Sequence, residues 1–399
     1  MGELFEFGIE EEFFLTNLDT RDIVGTRPTG FHRDCRSAFG DLVAHELLQS
    51  QVEIVTPVLQ SIGSARECLL SARHRLDAVA QGFGLGMLAA GTHPMAQWRE
   101  QRVTESPRYE RLMDDFQIVA QRNLLCGLHV HVAVPPAVDR IAVMNRVMPW
   151  LPLLLALSAS SPFWARKRTG LMSYRQAAYD EWPRTGIPDH FENERAYRAF
   201  VDFLVQTGSL KNDSYIWWAI RPSARFPTLE LRIADACPRV DDALCVAAIF
   251  RALVRHAVRT PAELPMRNEM TRLLIEENRW RAKRFGTRAS FLDQGSRRNV
   301  SIQVWLDGLQ RMLAETGWTA EDDDAFAHAR RLLDEGGSAQ RQLDLYVAAR
   351  EAGLPRRSAL SRVVDDLLAC TRGGSYASSP VGRDFARRNE TGTSDRRLD

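Results

Sequence analysis

The spacing of apolar positions changes along the chain. The alternation and the β-branched or aromatic content of strands are found in residues 3–16, 47–58, 84–90, 124–134, 214–221 and 228–234, with a short extra strand expected at 22–25. Helical spacing is found in residues 61–80, 106–121, 139–160 and 192–206, and over almost all of 241–370. Strands before residue 235 and helices after it predict an α+β fold rather than regular βαβ alternation.

The most apolar stretch, residues 147–165, is interrupted by Pro149, Pro152 and Pro162. Its uninterrupted centre is too short to cross a bilayer. We therefore expect a buried core helix here and no membrane partner. The segment that follows, residues 166–188, is rich in Arg, Tyr, Gly and Pro, which is typical of a binding loop.

Charge is balanced overall but unevenly distributed. The 52 Lys and Arg nearly cancel the 51 Asp and Glu, which argues against nucleic acid as a partner. Residues 1–60, however, hold eleven acidic side chains and four arginines, while residues 161–232 hold eleven basic and eight acidic ones. We expect these two regions to meet at a site for metal ions and an anionic ligand.

The termini and the cysteines indicate the compartment. The first residues lack the basic and apolar regions of a signal peptide, and the six cysteines are scattered without a CxxC pair. Both features predict a cytoplasmic protein with reduced thiols. Residues 373–399 are rich in Gly, Ser, Arg and Asp and are expected to be a disordered tail, which leaves residues 1–372 as one domain.

Two carboxylates near the N-terminus share one face of a predicted strand. Glu10 and Glu12 are two residues apart and so point the same way, among aromatic neighbours that suggest burial. Buried like charges repel unless a cation lies between them, and carboxylate oxygens suit Mg²⁺ or Mn²⁺. The alternative is a solvated strand face.

Three further strands repeat this arrangement. Glu53 lies in a Val/Ile strand, where an edge-strand surface residue is the alternative. His129 and His131 form an HxH pair on one strand face, which suits a divalent metal or a structural pair. Glu230 and Arg232 alternate with apolar residues, which also fits a plain intrastrand ion pair.

A basic segment precedes the last of these strands. Lys211, Arg221 and Arg225 could neutralise phosphate oxygens, although a solvated basic face is the simpler interpretation for each of them alone. Carboxylates and imidazoles on several strands, followed by arginines, suit metal ions that hold a polyphosphate while a phosphoryl group moves.

Five motifs in this order resemble one known family. They are FGIEEE at 7–12, GTHP at 91–94, GLHVHV at 127–132, IRPS at 220–223 and LELR at 229–232. They are similar to those of the YbdK-type carboxylate–amine ligases, the second glutamate–cysteine ligase family, which is related to glutamine synthetase in fold. The resemblance runs from about residue 5 to residue 370.

The resemblance implies a fold, a reaction and a set of ligands. The fold is a curved, mainly antiparallel sheet that forms a funnel-shaped active site, with helices packed outside and a helical C-terminal third. The reaction is the ATP-dependent activation of a carboxylate, such as the glutamate γ-carboxylate, as an acyl phosphate, followed by coupling to cysteine or another amine. ATP and Mg²⁺ are the expected cofactors, and a homodimer is the expected assembly.

The resemblance also assigns roles to residues. The metal-binding set would be Glu10, Glu12, Glu53, His129 and Glu230. Arg221 and Arg232 would be catalytic and face the phosphate, and Arg175, Arg184 and His131 would bind substrate. From the basic segment, Lys211 and Arg225 are also expected at the nucleotide.

Two other functions remain open at this stage. A metal-dependent amidohydrolase could use the HxH pair, but that barrel needs βα alternation and more histidine ligands. A catalytically silent binding protein of the same fold is the other alternative.

Overall fold

The structure is a computed structural model that describes residues 5–261 and 269–373. Its strands within those residues are β1 (Phe7–Asn17), β2 (Val43–His45), β3 (Gln51–Val55), β4 (Leu85–Leu88), β5 (Gly127–Ala133), β6 (Phe163–Trp164), β7 (Lys167–Arg168), β8 (Ile220–Pro222), β9 (Thr228–Asp235), β10 (Ser290–Asp293) and β11 (Arg298–Ser301).

The helices occupy the rest of the regular structure. They are α1 (Phe31–Phe39), α2 (Ile62–Gln81), α3 (Pro107–Phe116), α4 (Ile118–Gln121), α5 (Arg140–Val147), α6 (Leu151–Ser158), α7 (Tyr174–Tyr179), α8 (Glu194–Gln206), α9 (Val240–Arg259), α10 (Glu269–Phe285), α11 (Ile302–Ala314), α12 (Ala320–Glu335), α13 (Ser338–Glu351) and α14 (Arg356–Thr371).

Seven strands form one antiparallel sheet. Its order is β2-β3-β1-β5-β9-β8, and β4 also pairs with β1. The long strand β1 lies at the centre because its first half pairs with β5, its last residues pair with β4, and β3 pairs with its middle. The curved, mainly antiparallel sheet and the many helices confirm the predicted α+β fold.

Apolar side chains bury the sheet against helices in two clusters. The first packs β5, β9 and the start of β1 against α6 and α9, and the second packs the end of β1 with β3 and β4 against α1, α2 and α14. The helical stretch Arg140–Ser158 is apolar and long enough to cross a membrane, yet most of it is buried inside the protein. This is the buried core helix that the sequence predicted. A 3₁₀ turn at Met148–Trp150 separates α5 from α6.

Several predicted elements are confirmed with small shifts of their ends. The N-cap of α2 is Ser61, whose hydroxyl accepts a hydrogen bond from the backbone N–H of Ser64 at 3.0 Å. The hairpin expected around residues 222–227 is the β8–β9 pair, in which Arg221 lies opposite Glu230. The predicted tail lies outside the described residues, apart from Gly373.

Other predicted elements are wrong in detail. Residues 22–25 form only an isolated bridge, between Thr16 and Ile23, and β2 was not anticipated. The helix expected over 106–121 breaks at Gln117, whose φ of 47° is left-handed and ends an α-helix. The strand expected from residue 214 is shorter, because a 3₁₀ turn at Asp213–Tyr215 comes first. The β10–β11 hairpin interrupts the helical C-terminal third.

Candidate active site

One face of the sheet carries the polar residues that the sequence singled out. Because side chains alternate along a strand, Glu10 and Glu12 point away from the core while Ile9 and Phe13 are buried in it. The pairing registers then align the strands: Glu10 lies opposite His129, Glu12 opposite Glu53, and His131 opposite Glu230. The predicted same-face arrangement therefore extends over four adjacent strands.

These side chains form two groups of three ligand atoms. Glu10, Glu53 and His129 place one ligand atom each within 4.8 Å of the others, and so do Glu10, His131 and Glu230. The two carboxylate oxygens of Glu10 lie 3.1 Å from Nδ1 of His129 and 3.2 Å from Nε2 of His131. Glu10 is thus shared by two potential metal positions.

Glu12 borders the first group. Its Oε1 lies 3.8 Å from Nε2 of His129, and its Oε2 accepts a hydrogen bond from the backbone N–H of Gly127 at 2.6 Å. The described residues offer no hydrogen-bond partner to the buried Nε2 atom of His129. An unpartnered imidazole nitrogen beside several carboxylates fits a hard divalent cation, so the residues present suit Mg²⁺ or Mn²⁺.

The buried carboxylates divide into two electrostatic types. Burial by itself would raise the pKa of Glu10, but hydrogen bonds and charge from His129 and His131 hold it well below its usual value. Burial raises the pKa of Glu53 well above its usual value, and the charges of Glu10, Glu46 and Glu12 raise it further. The pKa of the His129 imidazole is lowered by burial and by Arg232, which favours the neutral form that binds metals.

A fifth carboxylate of the site was missed by the sequence analysis. Glu46 lies beside these groups, immediately after β2, and burial together with the charge of Glu12 raises its pKa to about 8. The sequence signal was weak, because the strand was expected to begin at residue 47 and Glu46 fell in a connection. Only the antiparallel turn from β2 to β3 brings Glu46 back beside Glu53.

Glu230 is held by two arginines. Arg221 donates to both of its oxygens, from Nε at 2.7 Å and from Nη2 at 3.2 Å, and Arg232 donates to Oε1. Burial would raise the pKa of Glu230, but these two cations lower it well below its usual value. The buried Nε of Arg232 has no partner among the described residues and is available to a ligand oxygen.

The segment of residues 166–188, which was predicted to be a loop, contains the short helix α7, and this helix places a further arginine in the site. Arg175 is 2% exposed, and its Nη1 donates to the backbone carbonyls of Arg232 and Ala234 at 3.3 and 3.1 Å. A Cβ atom added at Gly127 would lie 2.9 Å from Cζ of Arg175 and 3.1 Å from Nε2 of His129. Glycine at this position is therefore what allows the guanidinium to lie against β5.

The start of α7 is held by a buried acid at the end of β9. Asp235 accepts hydrogen bonds from the hydroxyls of Ser161 and Ser173 at 2.7 and 2.8 Å. The Ser161 hydroxyl in turn accepts the backbone N–H of Arg175 at 3.0 Å. These bonds set where Arg175 enters the site.

The structure brings most, but not all, of the predicted residues together. A cavity of about 350 Å³ is lined by Glu10, Glu12, Glu53, His129, His131, Arg175, Arg221, Arg225, Glu230 and Arg232. Lys211 is exposed after α8 and does not line the cavity. Arg184 also lies outside the lining, because its Nε donates to the carbonyl of Tyr215 and its guanidinium lies over the Trp217 ring.

A larger cavity of about 880 Å³ lies elsewhere, between α9, α10, α11 and the β10–β11 hairpin. Its lining is mostly apolar and includes none of the carboxylates or imidazoles described above. We therefore place the candidate active site in the smaller, polar cavity.

Comparison with known proteins gives one consistent family. The sequence pattern of glutamate–cysteine ligase family 2 matches residues 6–365. A protein from Ectopseudomonas mendocina (strain ymp), named "Putative glutamate--cysteine ligase 2", is 51% identical over 366 residues, which cover 92% of this chain and 96% of that protein. A protein of the same name from Pseudomonas paraeruginosa (strain DSM 24068 / PA7) is 46% identical over 362 residues, covering 91% of this chain and 94% of that one.

Solved structures agree on the fold. A glutamate–cysteine ligase from Francisella tularensis in complex with AMP has a TM-score of 0.69 and 12% identity, covering 97% of this chain and 93% of that one. A bifunctional glutathione synthetase from Pasteurella multocida has a TM-score of 0.69 and 16% identity, covering 92% of this chain and 52% of that one. The glutamine-synthetase-like fold that the motifs predicted is confirmed, and the chain belongs to glutamate–cysteine ligase family 2, a family of carbon–nitrogen ligases.

Proposed function

We propose that this enzyme uses ATP to join a small carboxylate, such as the glutamate γ-carboxylate, to an amine. A carboxylate oxygen would attack the γ-phosphorus, ADP would leave and an acyl phosphate would form. The amine nitrogen would then attack the acyl carbon, phosphate would leave, and the nitrogen would lose a proton to give the amide. The observation that carries the proposal is the position of Glu10, shared between two ligand groups beside the Arg221–Glu230–Arg232 cluster.

The acidic side of the cavity would hold Mg²⁺. We assign Glu10, Glu12, Glu53, His129 and Glu230 to the metal ions, and we add Glu46 because it lines the same cavity. Bound Mg²⁺ would neutralise phosphate oxygens and polarise the transferred phosphoryl group. His131, which the motifs suggested for substrate, shares a ligand group with Glu10 and Glu230, so we place it at the metal ions instead.

The arginines of the cavity would stabilise the negative charge of the phosphoryl group during its transfer. Arg221 and Arg232 are fixed by Glu230, so their positive charges are already oriented before ATP binds. Arg175 would bind a substrate carboxylate, because its buried Nε has no partner among the described residues. Arg225 is exposed at the cavity rim and would meet the outer phosphates.

The alternative functions are weaker. An amidohydrolase barrel needs parallel strands in βα alternation, whereas the main sheet here is antiparallel. A silent binding protein of this fold would not need a carboxylate that is shared between two groups of metal-ligand atoms.

The decisive experiment is an ADP-release assay with glutamate and a panel of amines, with and without Mg²⁺. We expect turnover that needs acid, amine and Mg²⁺ together. Glu230→Gln should abolish it, while Glu351→Gln, at an exposed position at the end of α13, should leave it unchanged. An absence of stimulation by any acid and amine would refute the ligase proposal, and full activity of Glu230→Gln would refute the site.

Three further expectations belong to the same proposal. We propose that residues 1–372 work as one catalytic unit, that the enzyme acts in the cytoplasm, and that it is a homodimer, as expected from the family. The six cysteines all lie in described residues and are free thiols, which supports a reducing compartment.

A further inference from the structure

The active-site cavity has an apolar part, and the proposed phosphoryl transfer makes no use of it. Leu112, Leu125, Trp182 and Trp217 line it, each less than a tenth exposed. They come from α3, from the turn before β5 and from the segments that follow α7 and precede β8. We call these four side chains the aromatic wall.

The aromatic wall is fixed by its own packing. The rings of Trp182 and Trp217 meet edge to face, with centroids 5.2 Å apart. Phe116 lies behind both of them, at 5.0 Å from Trp182 and 5.9 Å from Trp217. A wall built from interlocked rings is already in its binding shape, so an apolar ligand group gains contact with little ordering cost.

The charges of the substrates indicate which of them contacts the aromatic wall. The acid and the phosphates of ATP must bring their charges to the metal ligands and to Arg175 and Arg232. The four wall residues carry no charge, so they suit an uncharged group. The adenine of ATP and the side chain of the amine remain, and of these two the amine must approach the acyl phosphate in this cavity, where a surface that excludes water also favours its attack.

We infer that the aromatic wall binds the side chain of the amine substrate, and that the preferred amine carries a branched apolar or aromatic group rather than the small thiol of cysteine. This inference rests on the proposed ligase function and adds the class of its second substrate. A hydrophobic pocket discriminates by about tenfold or more for each missing methylene group. An amine without an apolar group would leave most of the wall unfilled.

The test compares amines of graded size with ATP, Mg²⁺ and glutamate held constant. Ethylamine, cysteine, isoamylamine and 2-phenylethylamine would be measured by ADP release, with the amide product identified by mass. We expect kcat/KM for 2-phenylethylamine to exceed that for ethylamine and for cysteine by at least about tenfold. Equal values, or a preference for cysteine, would overturn the inference and leave the ligase function standing.

Variants then separate binding of the amine from activation of the acid. Hydroxylamine traps an acyl phosphate as a hydroxamate with release of phosphate, and it is too small to need the wall. Trp182→Ala should reduce kcat/KM for 2-phenylethylamine at least about tenfold and leave hydroxamate formation within about twofold. Trp280→Ala, at a half-exposed position on α10, is the matched control and should change neither rate.

A second variant covers the chance that Trp182→Ala fails to fold. Leu112→Phe narrows the apolar part of the cavity without opening a void, so it should lower the rate with 2-phenylethylamine more than the rate with ethylamine. Equal losses of hydroxamate and amide formation in both variants would show that the wall serves the acid, the nucleotide or the fold, and would refute the inference. If no amine is coupled and no hydroxamate forms even in the parent enzyme, the ligase proposal itself fails.

Discussion

Binding of Mg²⁺ to the metal-free enzyme should release protons, and the structure sets the amount. Four carboxylates, Glu10, Glu12, Glu46 and Glu53, line one side of the cavity. Burial and the charge of Glu12 raise the pKa of Glu46 from its ordinary 4.5 to about 8. At pH 7 about nine in ten Glu46 side chains therefore carry a proton, which a cation must displace.

Glu53 adds to this release. Its pKa is also raised, by burial and by the three neighbouring acids, so more protons should be released than Glu46 alone supplies. The same linkage sets the pH dependence of affinity. As the pH decreases below the pKa of Glu46, the apparent affinity for Mg²⁺ should fall about tenfold per pH unit for each proton that Mg²⁺ must displace.

The assay is titration calorimetry in HEPES, Tris and PIPES at pH 7. The observed enthalpy plotted against the ionisation enthalpy of each buffer has a negative slope, because the buffer takes up the released protons, and its magnitude equals their number. Glu46→Gln should reduce that magnitude by about 0.9, because the amide carries no titrating proton. A slope of zero with the parent protein would mean that the carboxylates are ionised without metal, and would refute this account of the site.

Stability should depend on pH in the corresponding direction. The folded state holds the Glu46 proton more tightly than the unfolded chain does. The contribution of Glu46 to the free energy of unfolding without metal is therefore highest below pH 4.5. It should fall as pH rises from about 4.5 to about 8. Saturating Mg²⁺ should remove this fall, and thermal unfolding at pH 6 and pH 8, with and without Mg²⁺, measures the effect.

Two further substitutions test the geometry. Gly127→Ala should lower kcat/KM by about 100-fold, because the added Cβ displaces Arg175 by about an ångström. The control is Gly308→Ala in the middle of α11, where an added Cβ meets nothing within 4 Å. This variant should be slightly more stable and keep its activity. Arg73→Ala should reduce the free energy of unfolding by about 3–5 kcal/mol, because it leaves the buried carboxylate of Glu11 without its partner at 2.5 Å. Normal rates for Gly127→Ala, or an unchanged urea midpoint for Arg73→Ala, would contradict these interpretations.

The amino-acid sequence by itself determined which residues share a face of each strand. Side-chain alternation is a local steric property of extended backbone, so Glu10 with Glu12 and His129 with His131 could be paired before any fold was known. The Ser61 cap of α2 is local in the same sense. The motifs added a family, but the order of these strands in the sheet, β3-β1-β5-β9, came only from the structure.

The tertiary structure alone decided which other side chains enter the site. Glu46, Trp182 and Trp217 lie in connections or next to short elements, where no periodicity marks a residue as functional. Lys211 and Arg184 looked equally suitable by charge, yet packing directs them away from the cavity. Which side chains line the cavity depends on the burial of apolar faces between segments that are distant in the sequence. The spacing of neighbouring residues does not specify how these segments pack.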